Sequence, residues 1–170
     1  GRVDEVVREI VLVALVDRWL LGRQFDLETL DVVVREMVAG QFVHVDAGRE
    51  HAVAVTRDGR VFAFGANTVG QLELDTDANF VAAVAGGDFS IGLTTAGTLV
   101  GWGLSNYHQT AVPQSGRYVA VDAGRYHAVA VRSDGRLVGW GLNTSGQIDV
   151  PVGDDFVDVA CGSDFTIALR

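Results

Sequence analysis

The residues of this chain that could do chemistry are four histidines, one cysteine and a scatter of carboxylates. A histidine poised near neutral pH can act as a general base or a metal ligand, and a cysteine of low pKa as a nucleophile. The histidines are His44, His51, His108 and His127. His51 and His127 occupy one place in a recurring phrase, AGREHAVAV and AGRYHAVAV. Two further copies, AGGDFSIGL and CGSDFTIAL, carry Phe89 and Phe165 at that place. A ligand or base would not exchange for phenylalanine, so both histidines read as packing residues with one polar tip. Cys161 stands where the other copies have Ala47, Ala85 and Ala123, which reads as a small buried residue and not a nucleophile. The aspartates are dispersed, and none falls into the dense D-x-D-x-D-G loop of a calcium site. No Ser/His/Asp arrangement, phosphate-binding loop or zinc spacing is present. The sequence therefore predicts a non-enzyme with no catalytic residue, no metal and no cofactor.

The elements that position these residues repeat with a period of 38. Gly59, Gly97 and Gly135 open the phrases GRVFAFGANTVGQ, GTLVGWGLSNYHQ and GRLVGWGLNTSGQ. A fixed period of this size marks a repeat architecture. Val53, Ile91, Val129 and Ile167 keep one position large, as do Val55, Leu93, Val131 and Leu169 two residues on. The positions between stay small: Ala52, Ser90, Ala128 and Thr166, then Ala54, Gly92, Ala130 and Ala168. Alternate side chains of a strand point to opposite faces, so one face is aliphatic and the other admits only small groups. Crowding of that kind is expected of the innermost strands around a narrow axis, predicted at residues 51–56, 89–94, 127–132 and 165–169. Asp58-Gly59 and Asp134-Gly135 are strong hairpin signals. Asn67, Asn143, Gln71, Gln109 and Gln147 read as side chains that lock a second turn. Each unit is expected to hold about four short strands and one aromatic (Phe64, Trp102 or Trp140), the pattern of a propeller blade.

The pattern AG-x-x-H-A-V-A-V … D-G-R-L-V-G-W-G-x-N-x-x-G-Q resembles the regulator of chromosome condensation repeat. Its short period resembles the compact bacterial kind typified by β-lactamase-inhibitory protein II. The resemblance covers residues 41–170 and implies a mainly β fold, a partial β-propeller of about three and a half blades. The blades are expected at residues 41–78, 79–116 and 117–154, with a partial one at 155–170. Members of the family serve as exchange factors, inhibitors and scaffolds, and the exchange factors act through insertions between strands. No unit here has a long insertion, so that activity is not carried over. One copy departs from the pattern: Tyr107-His108 stands where a turn glycine is expected at the second position. A propeller of the family closes with about seven blades, which predicts self-association or a longer chain.

Residues 1–40 fall outside the repeat and read as a helical hairpin, with helices over about 3–21 and from Asp26 to Gly40. It is expected to cap one end of the array or to drive assembly. The apolar run at residues 10–16 follows Asp4, Glu5 and Glu9 and is too short for a bilayer, so it reads as neither secretory signal nor membrane span. All 13 basic residues are arginine, and the net charge is −9. That excess of carboxylates argues against nucleic acid and anionic membrane as partners. The lone cysteine fits a reducing compartment without requiring one.

The function expected is that of a protein-interaction module. A short loop follows each AG or CG pair, and these loops vary while the flanking strands do not. They supply the candidate partner-binding residues Arg49, Glu50, Asp88, Arg125, Tyr126 and Asp164, with Tyr107 and His108 as a possible second site. The partner is a protein, or further copies of the chain in a structural assembly. A carbohydrate-binding propeller is a further alternative, which needs exposed aromatics; Trp102 and Trp140 sit instead in apolar strands.

Overall fold

The computed structural model describes residues 41–170. The helical hairpin expected over residues 1–40 lies outside the described residues. From residue 41 the chain forms four antiparallel sheets in succession. The first holds β1 (Phe42–Ala47), β2 (His51–Thr56) and β3 (Val61–Gly65). The second holds β4 (Phe80–Ala85), β5 (Phe89–Thr94) and β6 (Leu99–Gly103). The third holds β7 (Tyr118–Ala123), β8 (His127–Arg132) and β9 (Leu137–Gly141). The fourth holds β10 (Asp158–Cys161) and β11 (Thr166–Leu169).

The period seen in sequence is carried into the backbone register. Ala47 pairs with Ala52, Ala85 with Ser90, Ala123 with Ala128 and Cys161 with Thr166. A bulge interrupts the first strand of each three-stranded sheet at Val43, Val81 and Val119. Those three valines are exposed, because a bulged residue leaves the ladder and turns outward. Gly59, Gly97 and Gly135 all take positive φ, the conformation for which a hairpin selects glycine. Loss of the aspartate before Gly97 therefore leaves the turn intact.

Two expectations are corrected. Each complete sheet has three strands and not four. The segment after Gly70 stays irregular because its backbone is bonded elsewhere: the Leu72 N–H goes to Asn67 Oδ1, and the Gln71 carbonyl to the Trp102 indole. The small-and-large strand is also not the innermost. β2, β5 and β8 lie in the middle of their sheets. The first strands of successive sheets stand side by side, with Asp46 Oδ2 accepting from the Ala85 N–H and Asp122 Oδ2 from the Cys161 N–H. Small residues are still required at Ala52, Ala54, Ala128 and Ala130, because a middle strand is covered on both faces.

The core lies between the sheets. Val53 and Val55 of the first pack with Phe80, Ala83, Ala85 and Trp102 of the second. Phe89, Ile91 and Leu93 of the second pack with Tyr118, Ala123, Ala128, Ala130 and Trp140 of the third. Val129 and Val131 of the third pack with Phe156 and Val159 around the fourth. Each of the first three sheets thus buries its aliphatic face against the next, and burial of apolar area is what orders the array.

Candidate functional site

Antiparallel strands alternate in direction, so the loop after each first strand and the turn after each third strand lie at the same end of a sheet. Backbone bonds join them: Ala66 N–H to the Glu50 carbonyl, Leu104 N–H to Asp88, and Leu142 N–H to Tyr126, at 2.8, 3.0 and 2.9 Å. The second turns share one lock. Gln71, Gln109 and Gln147 accept with Oε1 from the N–H two residues earlier, at Val69, Tyr107 and Ser145. The turn needs a left-handed residue just before the glutamine. Gly70 and Gly146 supply it at φ 77° and 74°, whereas His108 is held there at φ 60°. The His108 turn is therefore not rebuilt; it keeps the glycine conformation with a side chain attached, at a cost of about 1 kcal/mol.

That strained turn holds Tyr107 toward the neighbouring sheet. The ring centroids of Tyr107 and Tyr126 are 5.2 Å apart, with planes at 60°. The Arg125 guanidinium carbon lies 5.0 Å from the Tyr126 centroid. Arg125, Tyr107 and His108 are exposed and Tyr126 half-buried. The two places named separately from sequence are one continuous patch, running Arg125–Tyr126–Tyr107–His108 across the junction of the second and third sheets.

The other rim residues are placed differently. Arg49 grips Asp88 across the first junction, with Nη2 at 2.7 and 2.9 Å from the two carboxylate oxygens. That hydrogen bond, then the carboxylate charge, raises the Arg49 pKa. Asp88 is 8% exposed, so it stitches sheets together and does not face solvent as the sequence suggested. Glu50 is half-buried beside Arg49, and Asp164 is exposed at the fourth sheet.

His51 Nε2 meets Ser90 Oγ at 2.8 Å, and His127 Nε2 meets Thr166 Oγ1 at 3.0 Å. Both rings are buried, with the polar tip used as expected. Trp102 and Trp140 donate their indole N–H to the Gln71 and Gln109 carbonyls of the preceding unit at 2.9 and 2.8 Å. Buried and committed in this way, they offer no platform for a sugar ring.

The sequence profile of the Regulator of chromosome condensation (RCC1) repeat matches residues 42–71, 80–109 and 118–147. Each match opens on a first strand and closes on the glutamine that locks the second turn. The chain belongs to the RCC1 repeat family. A curated relative, the Protein RCC2 homolog of Xenopus laevis, is 41% identical over 66 residues, covering 36% of this chain and 13% of that protein. Among solved structures, human WBSCR16 is similar with a TM-score of 0.65 at 24% identity, over 76% of this chain and 44% of that one. Prp20p from Saccharomyces cerevisiae, described with its binding properties to Gsp1p and histones, is similar with a TM-score of 0.65 at 17% identity, over 75% and 43%. The chain thus spans less than half the length of these relatives, and the structural likeness establishes an RCC1-type propeller fold.

In this RCC1-repeat array the four AG or CG pairs converge on a cavity of about 420 Å³. Its walls are alanine and glycine, with Arg49, Arg125, Ser163 and Cys161 at intervals. Burial pushes the Cys161 thiol up to about 12, so it carries no thiolate at neutral pH. Burial likewise raises the pKa of Asp122, against the opposing bonds from the Cys161 and Ala123 N–H groups. Sequence reasoning missed the roles of Asp46 and Asp122, each of which crosses to a backbone N–H 39 residues on. The signal was available: aspartate recurs at that place in alternate units, while Val84 and Ala160 fill the others.

Proposed function

We propose that this chain is a non-catalytic protein-interaction module whose working surface is the patch Arg125–Tyr126–Tyr107–His108. The observation that carries the proposal is the contact of Tyr107 with Tyr126 beside a non-glycine residue held at φ 60°. Strain of that kind is retained where it positions something. Tyrosine and arginine are the residues most enriched among energetic anchors of protein interfaces. Here two tyrosines and one arginine are held together on a rigid array, so little ordering is left to be done on binding. A partner surface with carboxylates opposite Arg125 and flat apolar groups opposite the rings would fit. The RCC1-repeat relatives support the class: the yeast Prp20p structure is described with binding to Gsp1p and histones, and another with Kap60 bound.

The test is affinity capture with the full chain beside the double variant Arg125→Ala/Tyr126→Ala, with bound proteins identified by mass spectrometry. A protein held by the wild type and lost by a variant that remains folded, with affinity reduced about 30-fold or more, is the expected result. Capture that is the same for both chains would remove the patch as the working surface.

A further inference from the structure

We propose that the outer edge of the first sheet takes an extended basic segment of a partner protein as a fourth strand. Among the described residues β3 pairs with β2 alone. The hairpin bond from the Thr56 N–H to the Arg60 carbonyl sets the alternation of the ladder, in which Val61 stands opposite Val55 and Phe62 opposite Ala54. Phe62 and Phe64 therefore bond β2, while Val61 and Ala63 turn their N–H and C=O groups outward. An unpaired edge of this kind is a template for a further strand, and partners that bind by strand addition use it. The edge lies on the far side of the sheet from β1, the strand whose Asp46 reaches the second sheet, so it faces neither that junction nor the rim patch.

β6 and β9 have the same outer edge, but there the following run of chain lies close against it. A Cβ on Gly101 would stand 2.6 Å from the Thr110 carbonyl oxygen, and one on Gly139 2.8 Å from the Ile148 Cβ. The first unit carries Ala63 at that place, with Leu72 as the facing counterpart. Its methyl group holds the run after Gly70 off the strand. Between them lies a groove of about 420 Å³, lined by Val61, Phe62 and Ala63 on one side and Leu72, Leu74 and Asp77 on the other. That volume is in the range of ligand sites. The charge of the second wall names the occupant. Glu73, Asp75 and Asp77 recur at every second residue and are exposed, with Leu72 and Leu74 half-buried beside them. Glu73 is partly engaged by Asn67 at 3.1 Å, which leaves Asp75 and Asp77 as the main contacts. Arg60, on the strand side, is held by Asp58 at 2.9 Å, so the unbalanced charge is negative. The matching run of the second unit, 110–117, has no carboxylate. Alternate side chains of an added strand share one face. Lysine or arginine at every second residue would lie along the acidic wall while the backbone bonds Val61 and Ala63.

Fluorescence anisotropy of the full chain with a labelled octapeptide of alternating threonine and lysine tests this. The control is the same peptide N-methylated at every backbone amide, which keeps the charge and cannot donate to a ladder. The unmodified peptide should bind about 10-fold tighter than the control or better, and should protect the Val61 and Ala63 amides from hydrogen exchange. Asp75→Asn with Asp77→Asn should weaken binding and flatten its dependence on salt. Ala63→Gly should weaken it while the chain stays folded, because β6 and β9 already carry glycine at that place. The variant Arg125→Ala/Tyr126→Ala should bind the peptide as the wild type does, which separates this edge from the rim patch. A chain that does not bind the peptide would overturn the proposal. So would equal binding of the methylated control, which would mean charge attraction alone, affinity unchanged by Ala63→Gly, or loss of the peptide from the rim variant.

Discussion

Tyr107 and Tyr126 come from different repeats, 19 residues apart in sequence, yet their rings meet at 5.2 Å across a sheet junction. The contact joins a second turn to the rim loop of the following unit, so each residue helps set the other's position. A double-mutant cycle with Tyr107→Ala and Tyr126→Ala, read by denaturant unfolding, should show a coupling of about 0.5–1 kcal/mol. Strictly additive losses would mean that the rings do not act together.

His108 is the one residue among those described, other than glycine, that has positive φ. His108→Gly relieves the strain and keeps the Gln109 lock, which bonds the Tyr107 N–H and not the imidazole. The variant is expected to gain about 1 kcal/mol of stability while losing affinity for the partner. A loss of stability would show that the imidazole makes a compensating contact.

Desolvation lowers the pKa of His127 from its ordinary value of 6.5, with the Asp164 charge opposing. The unfolded chain therefore takes up this proton before the folded one does. The stability from neutral His127 is complete above pH 6.5 and is lost progressively as pH falls below it toward the lower folded value. Replacing His127 by Phe and Thr166 by Ala, the pairing of the second junction, should flatten that part of the stability profile. Urea titrations between pH 7.5 and 5, in which a flattening near pH 6.5 is expected, provide the check.

What was legible in the sequence was whatever repeats within one unit. The hairpin glycines, the glutamine locks and the large and small alternation at residues 52–55 are all local, and each is found where the pattern places it. The strand count was over-read because the run after Gly70 looks extended but bonds locally: the Leu72 N–H to Asn67, the Glu73 N–H to the Gly70 carbonyl and the Ala78 N–H to Thr76. The stitches between sheets were not legible for a different reason. Arg49 to Asp88, His51 to Ser90, Asp46 to Ala85, Asp122 to Cys161 and His127 to Thr166 all span 39 residues, one period plus one. That extra residue is the stagger between neighbouring sheets, a property of their packing that no single repeat contains. The joining of the two candidate sites follows the same rule. Counting strands puts rim loop and second turn at one end, but only the stagger brings Tyr107 of one unit onto Tyr126 of the next.

Hydrogen exchange on the full chain, with and without a captured partner, tests the working surface most directly. Protection on binding is expected at residues 104–109 and 124–127 together, since the patch is one surface built from two segments. The hairpin turns at the opposite end, around Gly59, Gly97 and Gly135, should exchange as before. Protection confined to those hairpins, with both patch segments unchanged, would contradict the account.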